Sequence, residues 1–600
     1  LDKLSHLSVV LDGHGEPYHI SGDSSVVFKM QDKTTGKCYA LKCFTKAQKG
    51  CADASSNSSS MKYLEKELLV LSQGKEEKYP VLLMDWVDGD SLGASQLKVE
   101  DMSTEATKAE LNEAITDEFS VKYSKDGRKL LKVPQKFKGT YAIKEGTKII
   151  CDRAFEDCKS LRSLVISNSV TSIGESAFSF CSSLKSIVLP DGITSIGDET
   201  FFGCSSLASL VIPDGVTSIG NGAFAYCGSL KNLVLPESVV SIKGNLFCKW
   251  NGEVKCLSPN FIFEDGVLFN KDKSTIISFR DKDITSYVIP DYVTSIGGDA
   301  FSGCESLTSL VIPDSVVSIG DGAFSFCESL KNIVLPNGIT SIGFCVFQHC
   351  RSLKSIVIPD SVTSIDTLAF CFCSSLKSLV IPDGVISIGD GAFSTCESLE
   401  SFVIPGGVTS IEKMAFSGCN SLKSIVIPDG VTSIGSGAFS GCESLKSIVI
   451  PDSVTCIGNR TFEYCFSLKS LVLSKSLTSI GDWAFNMAES LKSLVIPDSV
   501  TSIGDYAFSG CRSLKSLVIS NSVTHIAVGA FLSCTSLSSV VIPDGVTSIG
   551  EGAFIGCESL KSIVLPDGVV SIEKDAFRDC NFPNDFKQKL ISRFGDKIFG

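Results

Sequence analysis

Cysteine is the residue type in this chain with the most reactive chemistry, and its placement is regular. The chain holds 25 cysteines in 600 residues, and 16 of them lie three residues after a phenylalanine that recurs every 23 residues. A column of thiols can form disulfides, bind metal ions or serve as small apolar packing groups. Identical positions in every unit have no reason to pair two by two, and zinc needs four converging ligands, whereas the five histidines are not periodic. We expect a buried ladder of free thiols, with disulfides or a metal array as the open alternatives.

The phenylalanine column sets the length of the repeating unit. Its 18 members are Phe155, Phe178, Phe201, Phe224 and Phe247, then, after an interruption, Phe301, Phe324, Phe347, Phe370, Phe393, Phe416, Phe439, Phe462, Phe485, Phe508, Phe531, Phe554 and Phe577. A fixed period of this length is typical of a leucine-rich type of solenoid, in which stacked units bury what one unit cannot.

One unit shows how the coil is built. After Phe439, apolar residues follow at Leu445, Ile448 and Ile450, and the last two alternate with outward positions, as in a strand. Pro451 ends that strand because proline cannot donate to a β-ladder. A second apolar stretch, "VTSIG", precedes the next "GAF", which we expect to open a short helical or 3₁₀ turn.

Composition narrows the function. A chain of 600 residues with 43% hydrophobic residues predicts several domains or a repeat array, and a net charge of −13 argues against a general nucleic-acid binder. No apolar run reaches 18 residues, and Leu1 to Val10 shows no secretory signal. Without a visible catalytic set, we expect no enzyme activity, no cofactor and no metal. The absent signal and the unpaired cysteines favour a cytoplasmic location.

The repeat also resembles a known family. The pattern L-x-x-I-x-I-P-x-x-V-x-x-I-x-x-x-A-F-x-x-C-x-x-L, from Leu422 through Leu445, resembles the BspA-type leucine-rich repeat, and the resemblance covers roughly residues 119–580. It implies a mainly β fold, a right-handed superhelix with a parallel sheet on its concave face. Members of this family are often surface proteins that bind host or matrix proteins, so the resemblance implies a cell-surface or secreted location as the alternative. It brings no catalytic residues.

The flanks of the repeats predict further domains. A central Asp-Gly between alternating apolar segments predicts a hairpin in an N-terminal β cap over residues 118–151. The solenoid then covers residues 152–577, with a β insertion near 248–285. Phe586, Leu590 and Phe594 have helical spacing and predict a C-terminal helical cap over 578–600.

The first 95 residues resemble a degenerate protein-kinase N-lobe, a small α+β domain. "ISGDSSVVFKMQDKTTGKCYALKCF" resembles the glycine-rich loop and the strands after it, which implies nucleotide contacts from Gly22, Val27 and Lys42. "YLEKELLVL" resembles the regulatory helix, with Glu65 as the partner of Lys42. The chain has no H-R-D or D-F-G motif, so phosphoryl transfer is not expected. An inert remnant, residual nucleotide binding and a docking module remain open. A linker over 96–117 follows, with a helix near Thr107 to Ile115.

The outward positions of the main strand predict a binding surface. Valine recurs ten residues after the repeat phenylalanine, as at Val357 and Val449, and serine recurs eight residues after it. Seven residues after it, lysine recurs at Lys354, Lys377, Lys423, Lys446, Lys469 and Lys492. β-propensity and solubility explain such columns, and so does a protein- or glycan-binding trough with a basic border. Departures from the pattern at Trp250, His349, Arg351, Phe466 and Arg512 are candidates for specificity.

We therefore expect a monomeric, non-catalytic protein-binding scaffold or adhesin whose partner is a host, matrix or cellular protein. The alternatives are an intracellular signalling or docking protein that combines a pseudokinase-like lobe with the repeats, and a purely structural surface array.

Overall fold

The computed structural model describes residues 103–280 and 284–600, together with the backbone of eight strands between residues 7 and 85. The chain divides into two compact units, Leu1–Ser103 and Thr104–Gly600. The strands of the first unit are Leu7–Val9, His19–Gly22, Ser25–Asp32, Cys38–Phe44, Lys62–Tyr63, Leu68–Ser72, Lys75–Tyr79 and Val81–Asp85. Six of them form one antiparallel sheet, and the other two form a separate hairpin.

That hairpin lies where the kinase resemblance implies a regulatory helix. Leu68–Ser72 pairs with Lys75–Tyr79 in antiparallel register. Only two residues separate the strands, Gln73 and Gly74, and a two-residue connection that contains glycine favours a hairpin. A short run such as Leu-Leu-Val-Leu fits a strand as readily as a helix. The prediction of a helix over these residues was therefore wrong.

The second unit begins with a helix and a small sheet. The helix Lys108–Asn112 starts at a capping box, in which Thr107 Oγ1 accepts the N–H of Glu110 and the Glu110 carboxylate accepts the N–H of Thr107. The strands of this sheet are Ile115–Thr116, Lys122–Tyr123, Lys129–Lys132 and Ile149–Ile150, joined by Ser172–Ile173 of the first coil. Lys138–Ala142 lies in another sheet, where it pairs in parallel with Ser160–Val165. Lys122–Tyr123 and Lys129–Lys132 form the antiparallel hairpin around the Asp-Gly turn.

Each repeat forms one coil with two short strand positions. We call the strand that carries or adjoins the exposed valine the valine strand, and the two-residue strand that ends in isoleucine the isoleucine strand. The valine strands are Ser160–Val165, Ser186–Ile187, Asn232–Leu235, Ser286–Val288, Ser309–Val311, Asn332–Val334, Ser355–Val357, Ser401–Val403, Ser424–Val426, Ser447–Val449, Ser470–Val472, Ser493–Val495, Ser516–Val518, Ser539–Val541 and Ser562–Val564. The isoleucine strands are Ser172–Ile173, Ser195–Ile196, Ser218–Ile219, Ser241–Ile242, Ser295–Ile296, Ser318–Ile319, Ser341–Ile342, Ser364–Ile365, Ser387–Ile388, Ser410–Ile411, Ser433–Ile434, Cys456–Ile457, Ser479–Ile480, Ser502–Ile503, His525–Ile526, Ser548–Ile549 and Ser571–Ile572.

Neighbouring coils pair in parallel with an offset equal to the repeat length. Ser447–Val449 lies opposite Ser470–Val472, and Ser479–Ile480 lies opposite Ser502–Ile503. This offset places every residue beside its own equivalent, so residue types form columns along the stack. The prediction of a mainly β solenoid with 23-residue repeats is confirmed.

The stretch around each Ala-Phe is a series of turns, not the short helical or 3₁₀ turn that the sequence predicts. The N–H of Phe439 donates to the Thr461 oxygen in the next coil at 2.9 Å, and the N–H of Gly441 donates to the Glu463 oxygen at 2.8 Å. Gly437 and Gly441 have positive φ, 64° and 74°. A helix needs negative φ throughout and keeps its hydrogen bonds within one segment. Alternate N–H groups therefore bond to the next coil instead.

A β insertion separates the five-member and thirteen-member blocks. Its strands are Glu253–Cys256, Phe261–Glu264, Val267–Asn270 and Thr275–Phe279. Phe261–Glu264 and Val267–Asn270 form a hairpin closed by Asp265 and Gly266, both with positive φ as a type I′ turn requires. In the described residues, the two large clusters of the apolar core lie within residues 121–268 and 267–598 and adjoin at this insertion.

Hydrogen bonds connect the blocks across the insertion. Asn245 Nδ2 donates to the backbone oxygens of Phe279 and Ser302, both at 3.2 Å. The ring of Phe279 stacks on Phe301 with centroids 4.7 Å apart. Phe279 thus takes the place of a repeat phenylalanine, and the stack of coils continues.

Two helices close the last coil, Asn584–Phe594 and the 3₁₀ helix Asp596–Phe599. Leu590 is buried in the core, and the N–H of Phe577 donates to the Ile598 oxygen at 2.8 Å. Ile598 thus supplies the acceptor that the next coil would provide, which is how an open solenoid is capped. No helix in the described residues has the length and apolar character of a membrane-spanning segment.

Candidate protein-binding face

The inward columns hold the outer face in place. The repeat phenylalanines are fully buried, and their rings stack from coil to coil. The ring centroid of Phe439 lies 5.5 Å from that of Phe416 and 5.3 Å from that of Phe462. Stacked aromatic pairs at such distances stabilise a core beyond the area they bury.

The cysteine column hydrogen-bonds to the phenylalanine column. From the second coil of each block onward, the column thiols donate to the phenylalanine carbonyl one coil earlier, with Cys442 Sγ 3.3 Å from the Phe416 oxygen and Cys465 Sγ 3.4 Å from the Phe439 oxygen. No disulfide joins the cysteines of the described residues, and no metal-binding group of His, Cys, Asp and Glu occurs among these residues. Burial raises the pKa of Cys465 to about 12, which keeps its thiol protonated and unreactive. The column is therefore a structural ladder of thiols, and the sequence did not predict its carbonyl acceptors.

The valine column is exposed along the whole solenoid. Its members are Val165, Val188, Val211, Val234, Val288, Val311, Val334, Val357, Val380, Val403, Val426, Val449, Val472, Val495, Val518, Val541 and Val564, with exposed fractions from 40% to 83%. Monomeric proteins rarely expose contiguous apolar patches larger than a few hundred Å². A continuous row of this kind is typical of an interaction surface.

The predicted lysines form an exposed column beside the valines. They are Lys354, Lys377, Lys423, Lys446, Lys469 and Lys492. The N–H of Lys469 donates to the Lys446 oxygen at 2.8 Å, and Lys515 continues the column by donating to the Lys492 oxygen at 2.9 Å. Strands bonded in this way lie about 4.8 Å apart. The structure places the six lysines in one column, which Glu400 interrupts between Lys377 and Lys423, beside the column of Val357 and Val449. Their role in binding stays a prediction.

Acidic residues form a third exposed column, three residues after the valine. Its members include Asp191, Asp214, Asp314, Asp360, Asp383, Asp429, Asp452, Asp498, Asp544 and Asp567. The valine column thus has a basic column on one side and an acidic column on the other. A molecule that binds across both borders would need a complementary arrangement of charge.

Of the five departures from the pattern, Trp250 is the one whose side chain is buried and not on the surface. It takes the place of a column cysteine, is buried, and its Nε1 donates to the Leu230 oxygen at 2.6 Å. An indole in the core cannot contact a ligand, so its proposed role in specificity was wrong. Arg351 forms an ion pair with Glu328 in the preceding coil, with Nε 3.6 Å from Oε1.

The other three departures lie on the turn side of the coils. Arg512 Nη1 lies 3.5 Å from Glu489 Oε1 in the preceding coil, and the ring of Phe466 lies 5.9 Å from that of Tyr464. Since charge pairs between exposed side chains contribute little stability, such positions are free to vary. His349 belongs to a cluster that the sequence did not predict.

His349 lies between two phenylalanine rings on the turn side. Its ring centroid is 4.5 Å from that of Phe326 and 4.3 Å from that of Phe372, and all three residues have positive φ near 60°. Such backbone costs about 1 kcal/mol or more for a non-glycine residue, and stacking offsets part of that cost. Burial and the nearby Arg351 lower the pKa of His349. The signal in the sequence was aromatic residues at 23-residue spacing, two residues after the repeat phenylalanine.

A groove of about 430 Å³ along the isoleucine strands carries side chains of catalytic type, among them Ser502, Asp505 and His525. The Asp505 carboxylate accepts the N–H of Val528 at 3.1 Å, so it caps a turn of the next coil. No hydrogen bond joins His525 to Ser502 within the described part of the chain. The groove therefore lacks the relay that a nucleophilic serine needs.

The predicted nucleotide-contacting residues fall outside the part described with side chains. Gly22, Val27 and Lys42 belong to strands of the first unit, where Val27 lies opposite Lys42. Glu65 lies outside the described residues. Nucleotide contacts from these four residues therefore stay a prediction.

Parallel in-register coils around stacked phenylalanines define a leucine-rich-repeat solenoid. The family described as "BspA type Leucine rich repeat region (6 copies)" matches residues 139–253, 276–399, 340–469 and 455–584. Because these ranges include more than half of the chain, the chain belongs to the BspA-type leucine-rich-repeat family. The match begins at residue 139, so the kinase resemblance of residues 10–95 receives no support from it.

Solved structures of bacterial leucine-rich-repeat proteins resemble the chain. A leucine-rich repeat protein from Bacteroides ovatus is 27% identical over 72% of this chain and 92% of its own, with a TM-score of 0.35. A leucine rich cell surface protein from Faecalibacterium prausnitzii is 30% identical over 56% of this chain and 98% of its own, with a TM-score of 0.40. The pneumococcal vaccine antigen PcpA is 20% identical over 68% of this chain and 98% of its own, with a TM-score of 0.27. Among curated protein sequences, no significant match was found.

Proposed function

We propose that this chain is a non-catalytic, adhesin-like scaffold that binds a protein through its valine column and the lysine column beside it. The observation that carries the proposal is the row of exposed valines, which extends without interruption from Val288 to Val564. An apolar row of this length on the outside of a folded chain is typical of protein-binding surfaces.

The shape of the face supports a large partner over a small one. Val449 is flanked by exposed Lys446 and Ser447, and the same arrangement recurs in the next coil as Lys469, Ser470 and Val472. A repeated, open arrangement offers many equivalent contacts and no enclosed cavity. Affinity then comes from the number of coils engaged, as in other multivalent contacts. The cell-surface description of the Faecalibacterium prausnitzii protein supports an adhesive role.

The test is capture of extracellular-matrix and host-surface proteins by immobilised chain, followed by titration of any protein that binds. The variant Val426→Ser/Val449→Ser/Val472→Ser removes three neighbouring exposed valines. Since central apolar contacts carry much of the affinity of an interface, we expect binding to weaken about tenfold or more.

The matched control is Val317→Ser/Ile386→Ser/Val570→Ser, which changes three apolar residues of similar exposure beside the isoleucine strands. It should bind as the natural chain does. Equal weakening in both triple variants, or in neither, would overturn the assignment of this face.

A further inference from the structure

The three exposed columns of the binding face are arranged symmetrically about the valine. Lysine lies three residues before the valine, and aspartate lies three residues after it. Coils that carry all three residues are Lys185/Val188/Asp191, Lys354/Val357/Asp360, Lys377/Val380/Asp383, Lys423/Val426/Asp429, Lys446/Val449/Asp452, Lys492/Val495/Asp498 and Lys561/Val564/Asp567. The order basic, apolar, acidic becomes acidic, apolar, basic when the face is rotated by 180° about the stacking direction.

The charges of these columns are largely uncompensated within the chain. Glu400 in the lysine column and Lys475 in the aspartate column have the charge opposite to that of their neighbours. Each forms an ion pair within its own column: Glu400 Oε2 lies 2.6 Å from Lys423 Nζ, and Lys475 Nζ lies 4.0 Å from Asp452 Oδ2. In the described part of the chain, no carboxylate lies within 4.0 Å of Lys354, Lys377, Lys446 or Lys492, and each of these is exposed. Like charges about 4.8 Å apart repel each other, and a facing column of opposite charge relieves that repulsion.

We propose that the partner of this face is a second copy of the same chain, bound face to face about a two-fold axis parallel to the stack. Valine then packs on valine, and each lysine column faces the partner's aspartate column on both borders. The proposal rests on the protein-binding role of the valine face, and it replaces the monomer that the sequence led us to expect.

The repeat geometry suits this occupant. Both faces have the same spacing between coils, so a match in one coil is repeated in the next, and a two-fold axis closes the assembly at two copies. Thirteen consecutive coils at about 4.8 Å each extend over about 60 Å. A face of that length is on the scale of the roughly 800 Å² per partner that stable dimers bury. Sheets that pack face to face lie about 10 Å apart, which side chains of valine size fill.

The test is sedimentation of the full chain at concentrations up to about 100 µM, where association of micromolar affinity is visible. The first variant, Lys354→Asp/Lys377→Asp, makes both borders acidic in two coils. The second, Asp360→Lys/Asp383→Lys, makes both borders basic in the same coils. Each variant alone should self-associate about tenfold more weakly or worse, because like charges then face each other.

An equimolar mixture of the two variants should restore association to about the natural strength, since acidic borders then face basic ones. Thermal melts of both variants verify that they are folded. A natural chain that stays monomeric, variants that associate normally, or a mixture that fails to recover would each overturn the self-association.

These failures are distinguishable from failure of the proposed function. If the chain stays monomeric while the triple valine variant loses capture of another protein, the binding face stands and the second copy is excluded as its partner. If the triple valine variant changes neither capture nor self-association, the face itself is wrong.

Discussion

The inward and outward columns of the same coil are equally regular, but they differ in what requires the regularity. Phe439 and Cys442 repeat because each must fit against an identical neighbour in a close-packed interior. Val449 and Lys446 repeat although both lie in water and have no packing partner of that kind. Packing explains the first pair of columns. The exposed valine column has two explanations, the strand propensity of valine and the contact with another molecule that we propose. The predictions that follow test this contrast in order of decreasing effect.

Alkaline pH should have the largest effect, through the inward thiols. Burial raises the pKa of Cys419, Cys465 and Cys534 to about 12, whereas an unfolded cysteine has a pKa of about 8.5. Because the thiol pKa is higher in the folded state, the unfolded chain loses thiol protons first as the pH rises. The free energy of unfolding is therefore undiminished below about pH 8.5 and falls as the pH rises toward 12. The melting temperature should therefore fall steeply above about pH 8.5.

A matched variant separates the contribution of the buried thiols to this loss of stability from the contributions of tyrosine and lysine. The variant Cys419→Ala/Cys465→Ala/Cys534→Ala should show a shallower fall in melting temperature over the same pH range. Alanine is already accommodated at this position of the coil, at Ala488. Identical slopes for both proteins would contradict the role of buried thiols.

Phe439→Ala should cost about 3–5 kcal/mol, because it removes a fully buried ring between two stacked neighbours. The measurement is chemical denaturation of the second unit. Phe372→Ala is the control, since that ring is 39% exposed and stacks on one side only, against His349. We expect it to cost about 1 kcal/mol. Equal losses at the two positions would remove the distinction between inward and outward aromatics.

Cys442→Ala should cost about 1–2 kcal/mol, since it removes a small buried side chain and its contact with the Phe416 carbonyl. Cys456→Ala is the control, because that cysteine is exposed in an isoleucine strand and should cost less than about 0.5 kcal/mol. Denaturation in a reducing buffer measures both. A larger loss at Cys456 would mean that the column thiols are not structural.

Val449→Thr should change stability by less than about 0.5 kcal/mol, because the side chain is 61% exposed and threonine suits a strand. The same substitution at fully buried Val454, five residues later, should cost about 1–3 kcal/mol because it buries a hydroxyl group. Thermal melts of the pair provide the comparison. Similar losses would show that the outward valine is a packing residue and would weaken the proposed binding role.

The sequence was sufficient for features that depend on position within one coil. The spacing of Phe439, Leu445 and Ile448 predicted which side chains lie inside, and all three are buried. The Asp-Gly pair of the N-terminal segment predicted a hairpin, which Lys122–Tyr123 and Lys129–Lys132 form. These features are local, because strand alternation and turn chemistry act over a few residues.

Predictions failed where the outcome depends on contacts between coils or on a run too short to have a clear pattern. A turn at "GAF" was predicted as helical because its bonding to the next coil is invisible in one unit. The regulatory helix was wrong because the run at Leu68–Ser72 is too short to separate strand from helix by pattern alone. Trp250 was assigned to the surface because its departure from the pattern hid its burial in the cysteine column.

By itself, the sequence determined the repeat length, the inward and outward residue types and the family of the chain, because a strict period encodes where each residue lies in its coil. Only the tertiary structure decided which atoms meet across coils: the thiols with the phenylalanine carbonyls, His349 between two rings, and Asn245 across the insertion. Those contacts depend on the distance between coils and on the path of the chain through each turn. A one-dimensional pattern carries neither quantity.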